Sequence, residues 1–178
     1  MNDPLLHSLV GCALAILFAA AALHKVRQAP RFQAQLAEYR LLPSVLVAPA
    51  GWILAVSEAA IALGLLWPDL RPYAGAAAAV LLVAYAGAIA VNLLRGRSYI
   101  DCGCGDTPVL LSPWLLARNL VLATGAATLT LTTSDRVLSG ADLAIALVSL
   151  PALLLAYRAV EQLLENASVL REWRMSRD

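Results

Sequence analysis

Two thiols stand one residue apart in the stretch Arg95-Gly96-Arg97-Ser98-Tyr99-Ile100-Asp101-Cys102-Gly103-Cys104-Gly105-Asp106. Cys102 and Cys104 can join only in a tight ring, and strain in such a disulfide makes it easier to reduce. Gly103 and Gly105 supply the permissive backbone that the ring requires. A bridge over so few residues constrains almost nothing in the unfolded chain, so it suits a bond that opens and closes in use better than one that staples a fold. Two other readings stand beside this one: a pair of free thiols in a turn, and half of a metal site. Metal is the weaker, because a closed zinc site wants four ligands and the stretch adds only Asp101 and Asp106 to its two thiols. The only histidines, His7 and His24, are far away in the chain.

Several other side chains could support that chemistry. Glu58 interrupts a long apolar block, and an ionisable group inside a bilayer costs several kcal/mol unless paired or wet. It is expected to face the interior, with His24, Lys25 and Arg118 as candidate partners and with structural and proton-handling roles both open. Arg118 lies one turn inside the helix predicted to begin at Trp114, close to where the cysteine loop returns to the membrane, and a fixed cation there favours the attacking thiolate, although an arginine so near a helix end also snorkels to the interface. Asn119 beside it can bond a loop carbonyl or a neighbouring helix. Asp101 raises the pKa of the adjacent Cys102 but can accept a proton during exchange. Cys12, alone among Ala and Leu, reads as a small apolar filler.

The elements that must position these groups are written in the composition. Of 178 residues, 61% are hydrophobic and only 14% charged, with a mean hydropathy of +0.74, whereas a soluble domain carries about 25% charge. A net charge of +1 gives no grip on a phosphate backbone, which argues against nucleic-acid binding. The apolar residues fall in blocks separated by charge, as expected for an all-α polytopic helix bundle whose partner is the lipid bilayer. Spans are predicted over Leu5 to Leu23, Ser44 to Trp67, Tyr73 to Leu94 and Trp114 to Thr133. A fifth, Leu143 to Val160, runs into an amphipathic tail, giving about five transmembrane helices in one membrane domain, 1–178. The first block lacks the basic n-region and cleavage site of a secretory signal and is expected to be retained.

Between the first two spans, Phe32, Leu36, Tyr39 and Leu42 fall on one helical stripe stopped by Pro43, which predicts a helix lying on the membrane surface. Lys25, Arg27, Arg31, Arg40, Arg95, Arg97, Arg171, Arg174 and Arg177 gather on one side of the predicted topology, against Arg71 and Arg136 on the other. Because cytoplasmic loops hold the positive excess, the N-terminus is expected outside, with the cysteine loop and the C-terminus in the cytoplasm.

Taken in order, His24-Lys25, Tyr39-Arg40-Leu41-Leu42-Pro43, Glu58, Asn92-Leu93-Leu94-Arg95-Gly96, Ile100-Asp101-Cys102-Gly103-Cys104-Gly105 and Trp114 with Arg118-Asn119-Leu120 resemble the methylamine utilisation protein MauE family, over about 5–133. The remainder, about 141–178, holds the last helix and the tail. Ser112-Pro113 before Trp114 departs from the family pattern, although proline is acceptable at a helix start. The resemblance implies a protein of the bacterial cytoplasmic (inner) membrane that helps mature the disulfide-rich small subunit of methylamine dehydrogenase, an exported client, beside a thioredoxin-like membrane or periplasmic partner.

On that resemblance Cys102 and Cys104 are the exchanging pair of a thiol–disulfide relay, with Asp101, Arg118, Asn119 and Glu58 around them. Rival readings are a non-catalytic scaffold or chaperone for the same maturation system, a quinone-coupled thiol oxidase and a small solute carrier using Glu58. The charge count turns the loop inward while the implied client lies outside. A loop re-entering the bilayer through Pro108-Val109-Leu110-Leu111, transfer of reducing equivalents across the membrane, or the opposite orientation would reconcile the two.

Overall fold

The structure, a computed structural model of the chain, describes residues 3–97, 111–132, 134, 136 and 139–175, with side chains of the last helix described to residue 160 and at 162 and 163. Among the described residues the fold is all-α and polytopic, with six helices: α1 (Pro4–Arg27), α2 (Ala29–Glu38), α3 (Ser44–Leu66), α4 (Arg71–Leu94), α5 (Pro113–Thr128) and α6 (Gly140–Met175), of which α1 to α5 pack as a helix bundle. Four of them, α1, α3, α4 and the Gly140–Val160 part of α6, are long and apolar enough to cross a membrane. This is a membrane protein. The chain divides into two compact units, Met1–Arg136 and Val137–Asp178.

Local sequence explains where the helices begin and turn. Asp3 caps α1 by accepting from the Leu5 N–H at 2.8 Å, and Pro4 opens the helix where no donor is missed. Two residues past the end of α4 stands Gly96, whose φ of 72° lies in the left-handed region that glycine enters without strain. The Gly96 N–H then donates to Leu93 O at 3.0 Å and the Arg97 N–H to Asn92 O at 3.0 Å, which closes the last turn. In the second unit Ser139 and Asp142 form a reciprocal cap, Ser139 N–H donating to Asp142 Oδ2 at 2.7 Å and Asp142 N–H to Ser139 Oγ at 3.3 Å.

Two boundaries differ from the sequence expectation. The fourth predicted span was to run to Thr133, yet α5 stops at Thr128 after 16 residues, about 24 Å of helix. The hydroxyls of Thr124, Thr128 and Thr130 donate to carbonyls three residues back, and Leu129, Thr130 and Leu131 make only three-residue turns. Threonines that bond their own backbone compete with the helical ladder and tighten its end. The last helix goes the other way: it continues through Pro151 and past Val160 to Met175.

The core of the first unit lies between α1, α3, α4 and α5, where Leu14, Phe18, Ile61, Leu65, Ala78 and Leu129 are buried together. Gly75 lets α4 and α5 touch: a Cβ there would stand 2.7 Å from Leu129 Cβ and 2.9 Å from Ala126 O. In lipid, where apolar surface drives no association between helices, such backbone approach is the main packing device. At the far end of the same pair, Ile89 packs with Leu111, Leu115 and Tyr39. α5 therefore lies antiparallel to α4 along most of its length despite being shorter.

Candidate functional site

A buried polar cluster sits where α1, α2, α3 and α4 meet. Lys25 lies in the last turn of α1 and Glu58 two-thirds of the way along α3. Helical side chains lean toward their own N-terminus, and α1 and α3 run antiparallel, so the two lean toward each other. Lys25 Nζ donates to Glu58 Oε1 at 2.8 Å, with the residues 5% and 1% exposed. The same oxygen accepts from Tyr85 OH of α4 at 2.7 Å.

Aromatic rings complete the enclosure. Lys25 Nζ stands 5.0 Å from the centroid of Phe32 and 5.7 Å from that of Tyr85, within the range at which a ring face attracts a cation. Phe32 comes from α2, which packs on α3 where Gly51 leaves room: a Cβ there would meet Gln33 Cγ at 3.3 Å and the Phe32 ring at 3.7 Å. The predicted surface helix thus also covers the ion pair. Its inner face carries Phe32 and Gln35, followed by Tyr39 just past its end, whereas Leu36 is half-buried and Leu42 exposed.

The enclosure leaves acceptors over. Glu58 Oε2 and Asn92 Oδ1 are both buried, and neither finds a hydrogen-bond donor among the described residues. Asn92, fully buried on α4, uses its amide nitrogen to donate to Ala88 O at 3.1 Å. It lies seven residues beyond Tyr85, so the two share one face of α4 about 10 Å apart.

Sequence reasoning named Lys25, His24 and Arg118 as candidate partners of Glu58, and the structure places Lys25 on it. His24 is half-buried beside Lys25 in the last turn of α1, and Arg118 is half-buried near the start of α5. Asn119, buried on α5, donates to Leu115 O at 3.0 Å. Ser112 is the extended residue before α5 and Pro113 its first residue, which accommodates the departure from the family pattern. Asp101, Cys102, Gly103, Cys104 and Gly105 lie outside the described residues. Their link leaves α4 after Arg97 and enters α5 through Leu111, which is buried against Tyr39, Ile89 and Leu115. Cys12 is a half-buried free thiol of α1.

Two contributors were missed, Tyr85 and Phe32. A tyrosine in the middle of an Ala-rich span carries a hydroxyl that needs a partner, which was the available signal for the first. Phe32 was read only as part of an apolar stripe. Among the described residues no group of three or more His, Cys, Asp or Glu side chains is placed to hold a metal ion.

At the opposite end of the first unit the polar contacts tie helix ends together. Arg71 Nε donates to Leu65 O at 3.0 Å and its guanidinium to Ser8 Oγ at 3.3 Å. His7 Nε2 lies 3.1 Å from Leu129 O.

The family model for methylamine utilisation protein MauE matches residues 3–132. The chain is similar to proteins called methylamine utilization protein MauE from several bacteria. Identity is 42% over 112 residues with that of Methylophilus methylotrophus, covering 63% of this chain and 59% of the relative. With that of Paracoccus denitrificans it is 46% over 112 residues, covering 61% and 60%. With that of Paracoccus versutus it is 39% over 134 residues, covering 72% of each. The chain thus spans about three-fifths of the length of the first two relatives. No solved structure matches.

Proposed function

The chain belongs to the methylamine utilisation protein MauE family, and from that premise we propose that it is a membrane accessory protein of methylamine utilisation that relays thiol–disulfide exchange through Cys102 and Cys104 to an exported, disulfide-rich client. The methylamine dehydrogenase small subunit is the client that the family reading favours. The protein sits in the bacterial inner membrane with its N-terminus outside, and its client is served together with a thioredoxin-like partner.

In the exchange, one thiolate of the pair attacks a partner disulfide, forming a mixed disulfide and releasing one partner thiolate. The second thiol of the pair loses its proton and attacks its neighbour's sulfur, which releases the other partner thiolate and closes the Cys102–Cys104 ring. Two electrons have then passed to the partner, and a donor dithiol reopens the ring by the reverse steps. What supports this reading is the Asp101-Cys102-Gly103-Cys104-Gly105 run, set in the link between α4 and α5. Asn92 before that link and Asn119 after it are both buried, so its two stems are held by packed helices.

The test is alkylation trapping in cells with a mass-shifting maleimide. A Cys102–Cys104 bridge that forms and disappears with cellular redox state is the expected result, together with loss of client maturation in Cys102→Ser and Cys104→Ser. Thiols that stay reduced throughout, with maturation intact in both variants, would replace the relay by a scaffold.

A further inference from the structure

The Lys25 ammonium occupies a cage. One carboxylate oxygen of Glu58 accepts from it at 2.8 Å, and the rings of Phe32 and Tyr85 face it at 5.0 Å and 5.7 Å. Carboxylate plus aromatic faces is the chemistry that recognises an alkylammonium ion. The cage also has an acceptor to spare, since Glu58 Oε2 is buried and takes no donor among the described residues. A buried acceptor left without a donor carries a desolvation cost that a second N–H group would relieve.

We propose that this cage is a binding site for a small primary alkylammonium ion, which competes with the Lys25 side chain for the Glu58 carboxylate. Lys25 is two residues from the end of α1, and a lysine stem there is long enough to carry its charge out to the interface. An emptied cage would strand a buried carboxylate, which is strongly unfavourable, so a cation must replace the one that leaves. Methylammonium fits the vacated space by construction, because it reproduces the terminal carbon and ammonium of lysine. Like the lysine ammonium it carries three N–H donors, but with no stem to hold it in place it can turn them toward both oxygens of Glu58. Tetramethylammonium has none and cannot bond the carboxylate. The proposal goes beyond the thiol relay and stands without it.

The experiment uses the full chain in lipid nanodiscs, with radiolabelled methylammonium in equilibrium dialysis and thermal unfolding as the second readout. Wild type should bind methylammonium saturably, with excess tetramethylammonium failing to displace it. Lys25→Met, lacking the internal competitor, should bind at least about a hundredfold tighter and gain thermal stability on adding methylammonium. Glu58→Gln should bind none. Should the charge variants fail to fold, Phe32→Leu keeps the ion pair and should weaken wild-type binding by about fivefold. Two results would overturn the proposal. Wild type without saturable binding would reserve the cage for Lys25, and undiminished binding in Glu58→Gln or Phe32→Leu would put the ion elsewhere.

Discussion

Lys25 Nζ and Glu58 Oε1, on residues 33 positions apart, meet at 2.8 Å inside the helix bundle. The pair joins the end of the first span to the middle of the second and so fixes how the two helices are rotated about their axes. A buried charge that loses its partner is far more costly than a buried pair that was never built.

Removing either partner alone should therefore destabilise the fold, by about 3–5 kcal/mol for Lys25→Met or Glu58→Gln, and the double variant should recover much of that loss. Thermal unfolding of the four proteins in nanodiscs measures the coupling. Additive losses would mean that the pair contributes nothing as a unit.

Tyr85→Phe keeps the ring beside Lys25 and deletes only the hydroxyl that donates to Glu58 at 2.7 Å. A hydrogen bond to a charged group contributes about 1.5–3 kcal/mol, so a stability loss in that range is expected. A loss no larger than that of an exposed substitution would show the contact to be incidental.

Gly75→Ala should loosen the α4–α5 contact, because its new methyl would fall 2.7 Å from Leu129 Cβ and 2.9 Å from Ala126 O. Overpacking of this kind costs about 1–3 kcal/mol. Gly87→Ala on the same helix meets nothing within 4 Å and serves as the control. Equal behaviour of the two in thermal unfolding would contradict the packing described.

The proposed orientation is read by labelling single cysteines in a Cys12→Ala, Cys102→Ser, Cys104→Ser background. Asp69→Cys, in the exposed turn between α3 and α4, should react with an impermeant maleimide added to intact spheroplasts. Arg95→Cys, exposed at the other end of α4, should react only after permeabilisation. The reverse pattern would invert the protein and bring the cysteine link to the outer face.

The sequence by itself determined the membrane class, the positions of most helices and the single pair of neighbouring thiols. Lipid enforces this legibility: a span must be apolar over a set length, so the charges that end it are visible in one dimension. It also marked Glu58 as a residue in need of a partner, because an intramembrane carboxylate always is. What the tertiary structure alone decided was the partner set. Lys25 was one of three candidates until the antiparallel stagger of α1 and α3 leaned it onto Glu58, and Tyr85 and Phe32 joined only when α4 and α2 closed around it. Helix rotation and register decide such contacts, and an Ala- and Leu-rich span carries almost no amphipathic asymmetry from which rotation could be read, because lipid and bundle interior are both apolar.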